Sequence, residues 1–323
     1  MWEKPWAKRF HCGDSEESKG PLIREALQPY QSELKGCVVE STYNWYWLVD
    51  GLMESGYPIH LANTAAIRQY DGVKNTNDRT DARYLAQLLR LGILPEGYIY
   101  PKEIRGLRDL LRRRLLLVRQ RTVQLLSLQS LIARHTGKRF SSNQIKQLDT
   151  DAIAALLPDQ SAAFSGQVNL ALMQTLDQAV DMLETKVLKQ AVRHPEHQFL
   201  ISVPGIGKIL GMTIQLETGE IQRFPDAGHY ASYARCVKSE KVSNGKRKGQ
   251  GNRKNGNRYL AWAFVEAAHF ATIWEPSIKR YYQRKLAKSH LMVAKKAVAN
   301  KLARACYHML KEHKPFDVRR SFG

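Results

Sequence analysis

Two long segments with a helical pattern of leucines constrain the fold of this chain most strongly. Between Lys102 and Thr136, apolar residues recur at near-helical spacing, with arginines at many of the other positions. A second pattern of this kind runs from Ala162 to His194. These patterns predict two long antiparallel helices joined by short helical pieces between Ile145 and Leu157. Such a helical pair is typical of a spacer or an oligomerisation element.

Short apolar runs and helical segments alternate before these helices. The pattern predicts helices at 21–34, 43–55 and 64–70, strands ending at Glu40 and spanning 57–62, and a polar loop at 71–80. Strands and helices that alternate at this length indicate an α/β layer with a parallel sheet. We therefore predict an irregular tail (1–20), an α/β domain (21–101), an all-α spacer (102–196) and a helical C-terminal domain (197–323).

Three carboxylates are the first candidates for chemistry. Glu40 follows the β-branched run Cys37-Val38-Val39, which suits a buried strand that delivers Glu40 at its carboxyl end. Asp78 and Asp81 begin a helical pattern and, three residues apart, share one face. Converging carboxylates repel one another unless a cation lies between them, and Mg²⁺ prefers oxygen ligands. This arrangement predicts a magnesium site.

Each acid also has a purely structural interpretation. Asp78 is a candidate N-cap, with Asp81 in the first turn of the same helix, where carboxylates favour the helix dipole. Glu40 would then pair with an arginine at the end of its strand. Only the grouping of the three acids favours the metal site.

The charge of the chain indicates its class of partner. The 323 residues carry a net charge of +20, and the isoelectric point is near 9.8. Such a charge favours polyanions, above all nucleic acid, and makes metal-assisted phosphodiester chemistry the expected use of the acids. No apolar stretch approaches the length of a membrane span or marks a secretion signal near the start. The cysteines (Cys12, Cys37, Cys236 and Cys306) show no metal-binding spacing, which is typical of a reducing cytoplasm.

Two further segments are candidate nucleic-acid contacts. Val203–Lys208 reads as the hairpin of a helix-hairpin-helix, in which Gly205 and Gly207 permit a tight turn and Lys208 begins a helix that can hold a phosphate. A plain helix–helix turn explains the glycines equally well. Arg112, Arg113 and Arg114 form a charge run that is usually a solvated helix face.

The segment from Lys241 to Arg258 contains no acid and four glycines, so we expect a mobile loop that orders on a polyanion. Its candidate phosphate contacts are Lys241, Lys246, Arg247, Lys248, Arg253, Lys254 and Arg258. Ser243 is a possible nucleophile if a neighbouring group activates it. The alternative is that Ser243 is one polar loop residue among many.

Together these segments resemble the DEDD insertion-sequence transposases, the one-hundred-and-ten family, which includes RNA-guided bridge recombinases. The resemblance rests on Val38–Asn44, Asp78–Arg83, the Pro-Gly-Ile-Gly hairpin and the glycine-rich run Ser243–Gly256, in that order. It implies a RuvC-type, RNase H-like domain whose acids bind magnesium, with Glu40 as the E and Asp78 and Asp81 as the last two D residues.

The resemblance also implies a mechanism and partners. Ser243 would attack a DNA phosphate and hold the strand as a phosphoserine. A structured RNA would pair with donor and target DNA, and the long helices would bridge a dimer or tetramer in which acidic and serine sites from different subunits combine.

One element of the family pattern is absent. The first Asp of the family lies at the end of an opening strand, whereas Asp14 lies close to Glu40 and lacks a preceding apolar run. We therefore expect an N-terminally shortened member, which bears on magnesium binding and activity. The leading prediction is a cytoplasmic DNA transposase acting on element ends and target DNA. The alternatives are a nucleic-acid-binding protein that does not cut, and a RuvC-like DNA hydrolase that uses water and not Ser243.

Overall fold

The computed structural model of the chain describes residues 16–41, 44–67, 77–191, 195–238, 240–249 and 255–323. For residues 16–19, 191, 241, 242 and 247 it describes the backbone alone. The chain divides into two compact units. The first unit comprises residues 1–102 and 248–255, and the second comprises residues 103–247 and 256–323.

The first unit is built on a small parallel sheet. Its elements are α1 (Glu16–Leu27), a 3-10 turn (Gln28–Tyr30), β1 (Cys37–Glu40), α2 (Trp45–Glu54), β2 (Ile59–Ala62) and α3 (Asp78–Arg90). Strands β1 and β2 are parallel, with Glu40 opposite Ala62, so α2 is the crossover of a βαβ unit. On the other edge of β2, Gly97 N donates to Leu61 O at 2.7 Å. The predicted α/β layer with a parallel sheet is therefore confirmed on this small scale.

Several predicted boundaries in the first unit were wrong. Helix α1 begins at Glu16 and runs through Pro21. The proline cannot donate a backbone hydrogen bond, but its φ is compatible with a helix. It ends at Leu27 and not at Leu34: the chain continues as the 3-10 turn Gln28–Tyr30, and Pro29 has no N–H to donate the next α-helical hydrogen bond. Residues 64–67 form turns and not a helix, with Ala66 N donating to Asn63 O. Residues 68–76, and the predicted tail up to residue 15 with Asp14, lie outside the described residues.

Two long helices dominate the second unit, as predicted. They are α4 (Lys102–Thr136) and α7 (Gln160–Ala191), joined through α5 (Ser142–Lys146) and α6 (Thr150–Leu156). Arg114 pairs with Glu184, and Asn169 Nδ2 donates to Ser127 Oγ at 3.2 Å, so contacts descend along α7 as they ascend along α4. The helices are therefore antiparallel. At their far end, Ile145 of α5 is fully buried.

The remainder of the chain is a helical bundle with one small hairpin, whose last two residues belong to the first unit. Its elements are α8 (Glu196–Ile201), α9 (Lys208–Thr218), a 3-10 turn (Ile221–Arg223), α10 (Ala227–Tyr233), β3 (Lys241–Ser243), β4 (Lys246–Gly249), α11 (Arg258–Trp274), α12 (Pro276–Leu286), α13 (Leu291–Glu312) and α14 (Val318–Phe322). Helices α11 and α13 pack through buried small residues such as Ala267 and Ala303. Small side chains let two helices approach closely, and this pair forms the centre of the bundle. Among the helices that the structure describes, none is both long and apolar enough to cross a bilayer.

Candidate functional site

The structure places Glu40 where the sequence predicts it. Glu40 is the last residue of β1 and is exposed, whereas the residues before it in the strand are half-buried. Helix α3, which carries Asp78 and Asp81, packs against β1. The strand end and the start of α3 therefore belong to the same small unit.

Asp78 and Asp81 lie in the first turn of α3 and are exposed, but neither caps the helix. Asn77 is the N-cap: its Oδ1 accepts from Arg79 N at 3.1 Å and from Thr80 N at 3.0 Å. Thr80 Oγ1 in turn accepts from Asn77 N at 2.9 Å, which completes a capping box. Because Asn77 does the capping, the proposal that Asp78 is the N-cap was wrong. Both carboxylates still interact favourably with the helix dipole, because they lie at the N-terminal end of α3.

Carboxylate oxygens are suitable ligands for Mg²⁺, but the three acids do not enclose an ion here. Within the described part of the chain, which includes Glu40, Asp78 and Asp81, no three His, Cys, Asp or Glu side chains come close enough together to hold a metal. The predicted convergence is therefore not present in this structure. Mg²⁺ commonly takes only one or two carboxylates and completes its shell with water and substrate phosphate.

Ser243 lies at the tip of a β-hairpin. It is the last residue of β3, it is exposed, and Asn244 and Gly245 connect it to β4. These two residues have φ values of 50° and 69°, as a type I′ turn requires. The expected mobile loop is therefore wrong for 241–249, because the Asn-Gly turn reverses the chain and pairs the two strands.

The basic residues of this segment are only partly described. Lys246 and Lys248 are exposed on β4 and Arg258 is exposed at the start of α11. Arg253 and Lys254, and the side chains of Lys241 and Arg247, lie outside the description.

The turn between α8 and α9 separates the roles of its two glycines. Gly205 has φ of +90°, and a Cβ there would lie 2.5 Å from both Ala267 O and Ala271 N of α11. Gly207, the N-cap of α9, would meet nothing within 4 Å. Lys208 is exposed beside it. Gly205 is thus required by packing, whereas the space beside Gly207 is open. The phosphate contact predicted for this turn stays a prediction.

A buried carboxylate that the sequence did not single out lies near the base of the long helices. Glu217 of α9 has a side chain only 1% exposed. Its Oε2 accepts from Arg108 Nε at 3.0 Å and from Arg112 Nη2 at 2.8 Å, and its Oε1 accepts from Arg112 Nε at 2.5 Å. Burial alone would raise the pKa of Glu217, but the hydrogen bonds and the charges of the two arginines lower it below its ordinary value.

Glu217 also fixes the end of the basic segment. Asn257 Nδ2 donates to Glu217 Oε2 at 2.7 Å, while Asn257 Oδ1 accepts from Tyr259 N and Leu260 N and caps α11. Gly256 has φ of +85°, and a Cβ there would lie 2.5 Å from Tyr233 O. The Glu217 cluster (Arg108, Arg112, Glu217 and Asn257) thus joins α4, α9 and the start of α11.

The arginine run on α4 is not simply a solvated face. Arg112 belongs to the Glu217 cluster and stacks on Tyr259 at 4.3 Å, and Arg114 pairs with Glu184. Only Arg113 of the three is classed as exposed. A single carboxylate within the apolar stretch of α9 was the available signal for this cluster.

Comparison with known proteins accounts for most of the chain. Residues 7–137 match the model of the IS110-type DEDD transposases, described as a transposase. Residues 197–283 match the model described as the transposase IS116/IS110/IS902 family. The chain belongs to the IS110 family of transposases. The first match contains Glu40, Asp78 and Asp81, and the second contains Ser243 and Glu217.

Relatives from bacteria are described as proteins of insertion sequences and related elements. The putative transposase of the IS117 mini-circle from Streptomyces coelicolor is 30% identical over 180 residues, which cover 53% of this chain and 42% of that protein. An uncharacterized 43.6 kDa protein of the insertion element IS110 from the same organism is 30% identical over 106 residues, or 33% of this chain and 26% of that protein. The transposase of IS1111A from Coxiella burnetii is 23% identical over 291 residues, or 87% and 76%. The chain thus spans less than half of the first two relatives.

Proposed function

We propose that this chain is a DNA transposase or recombinase of an insertion element, with Ser243 as its nucleophile and Glu40, Asp78 and Asp81 as ligands of Mg²⁺. The observation that carries the proposal is the division of the family matches. One match contains all three acids and the other contains the serine. Under this proposal each matched segment would supply one half of a phosphoryl-transfer site, which would suit the chain to cutting and joining DNA.

Ser243 is suited to attack by its position. Ser243 is exposed at the tip of a short hairpin, and Lys246 and Lys248 are close to it in sequence. Its Oγ would attack the phosphorus of a phosphodiester, forming a phosphoserine ester as the bond from phosphorus to one deoxyribose oxygen breaks. The serine proton would pass to a carboxylate of the acidic set, from the same or another subunit, and a proton would return to the leaving oxygen.

The three acids would hold the cation together with the substrate. Since the free chain does not bring three of these ligands together, we propose that DNA phosphate oxygens complete the site. A bound divalent cation would stabilise the negative charge that develops on the phosphate oxygens. Glu40 and the first turn of α3 would thereby position the scissile phosphate.

The long helices offer a surface for a second copy of the chain. Phe164, Val168 and Leu172 recur every four residues on α7 and are 69%, 43% and 46% exposed. Such a stripe is unusual on a helix that has no further partner. We propose a homodimer or homotetramer assembled through it. A structured guide RNA is proposed as a further partner, on the resemblance and on the net charge of +20.

A denaturing gel tests the function. Purified chain is incubated with Mg²⁺, DNA of the element ends and RNA transcribed from the flanking non-coding sequence, and a protein–DNA adduct is sought. Ser243→Ala should abolish the adduct, whereas Ser161→Ala, a change at an exposed serine of α7, should leave it intact. Glu40→Gln should also abolish it.

The alternatives give different results in the same assay. Cutting that survives Ser243→Ala but is lost in Glu40→Gln would identify a hydrolase that uses water. Binding without cutting in any variant would identify a nucleic-acid-binding protein and contradict the proposal.

A further inference from the structure

A groove on the second unit is lined by more arginines than the nearby carboxylates neutralise. One wall is a face of α4, and the other is the start of α11. The arginine groove is defined by Asp109, Arg112, Arg113, Arg119, Arg258 and Tyr259. Positions 109, 112, 113, 116 and 119 recur at three- and four-residue spacing, so α4 presents them on one side.

The acids near the arginine groove do not balance its four arginines. Among the described residues of its lining, Asp109 is the one carboxylate. Glu217 binds Arg112 but is buried, and it also binds Arg108, so its charge is already shared between two guanidinium groups. Arg113, Arg119 and Arg258 are all exposed. The groove therefore keeps a positive field in reach of solvent.

Aromatic stacking holds the arginines of both walls in place. The guanidinium groups of Arg112 and Arg258 lie 4.3 Å and 4.9 Å from the centre of the Tyr259 ring. Arg258 Nη2 also donates to Tyr259 Oη at 2.8 Å. Asn257, next in the chain, is anchored on buried Glu217. These contacts therefore hold Arg112 and Arg258 against Tyr259 and connect this wall to the Glu217 cluster.

We propose that the arginine groove binds the phosphodiester backbone of a nucleic acid, with Arg113 and Arg119 contributing phosphate contacts from α4 outside the serine hairpin. A guanidinium fork matches a phosphate through two parallel hydrogen bonds. Arg258 links the groove in sequence to the basic segment that follows Ser243. The proposal rests on the proposed function and deepens it, because it adds backbone contacts for the same class of substrate.

The test measures affinity as a function of salt concentration. Fluorescence anisotropy follows binding of the full chain to a labelled DNA duplex of mixed sequence, to a DNA single strand and to an RNA stem-loop. The test variant combines Arg113→Gln and Arg119→Gln. The matched control combines Arg134→Gln, in the last turn of α4, with Arg139→Gln, in the connection just after it; both arginines are exposed, so both variants lose the same charge.

Loss of two phosphate contacts on a duplex makes the negative slope of log affinity against log salt shallower by about 1.8. The ratio of wild-type to variant affinity should therefore fall about twelvefold between about 50 and about 200 mM salt. The control pair should keep the wild-type slope. A loss confined to the DNA or to the RNA probe would support the groove and identify which nucleic acid occupies it.

Wild-type slopes in the Arg113/Arg119 variant on all three probes would overturn the groove while leaving the recombinase proposal in place. A wild-type chain that binds none of the probes would overturn both.

Discussion

Replacement of Glu217 by glutamine is the perturbation whose effect the structure specifies best. Oε1 accepts one hydrogen bond, from Arg112, whereas Oε2 accepts three, from Arg108, Arg112 and Asn257. In glutamine, an NH2 group takes the place of one of these two oxygens. At the Oε2 position it would face three donors, and at the Oε1 position it would face one. It would leave at least one arginine N–H unpaired, at a cost of about 1–3 kcal/mol.

Loss of the negative charge adds to this cost. The side chain of Arg108 is 8% exposed and that of Arg112 is 28% exposed, so the change removes a buried counter-ion that the two arginines share. Breaking a buried ion pair in this way costs about 3–5 kcal/mol in total. For a unit of this size, the change should lower Tm by roughly 10 °C.

Thermal and urea unfolding, followed by circular dichroism, measure the change. Glu184→Gln is the matched control, because Glu184 pairs with Arg114 but its side chain is 28% exposed. That pair should contribute about 1 kcal/mol at most. Adding Arg108→Gln to Glu217→Gln should cost less than the sum of the single changes, because it removes one unpaired charge. A Glu217→Gln variant no less stable than Glu184→Gln would refute the reasoning.

The same residue makes stability depend on pH. The folded pKa of Glu217 is lowered from an ordinary value of 4.5. Its contribution is therefore fully present above that value and is lost as the pH falls through the lower folded pKa. The difference in unfolding free energy between wild type and Glu217→Gln should be constant near neutral pH and shrink below pH 4.5. A difference that grows on acidification would contradict this assignment.

Three further changes test other parts of the structure. Gly205→Ala should lower the unfolding free energy by about 3 kcal/mol, because its Cβ would meet the backbone of Ala267 and Ala271. Gly207→Ala is the control, because the space beside Gly207 is open, and it should change the unfolding free energy by no more than about 1 kcal/mol. Equal losses in the two variants would refute the packing argument. Isothermal titration calorimetry should show Mg²⁺ binding tightly only in the presence of DNA, and tight binding to the free chain that is lost in Glu40→Gln would exclude a substrate-completed site. Replacing Phe164 and Leu172 with serine should shift the mass measured by light scattering towards the monomer, whereas the same assembly in wild type and variant would place the interface elsewhere.

The long helices and the strand before Glu40 were predictable because their signals are local. Helix α4 repeats its apolar spacing over 35 residues, and such a pattern has few other folded solutions. The β-branched run before Glu40 likewise fits a short buried strand, and β1 forms there. In both cases neighbouring positions carry the whole signal.

The serine hairpin and the Glu217 cluster are features that the local sequence patterns did not predict. Composition predicted a loop at Ser243, but the Asn244-Gly245 pair favours a type I′ turn strongly enough to form a hairpin. Arg108 lies 109 residues before Glu217, so nothing in the nearby sequence indicates that the two meet. The positions of the acids were predictable, but their convergence was not, because Glu40 lies on β1 and the two aspartates lie on α3, so their approach depends on tertiary packing.

The most direct test of the central claim is peptide mapping of the chain after reaction with element-end DNA, Mg²⁺ and RNA. The DNA is digested with nuclease, the protein is cleaved, and the peptide that contains Ser243 is examined by mass spectrometry. The account predicts that this peptide carries a nucleotide phosphate on the Ser243 hydroxyl and that Ser161 remains unmodified. Cut DNA with an unmodified Ser243, or a nucleotide attached to another residue, would contradict it.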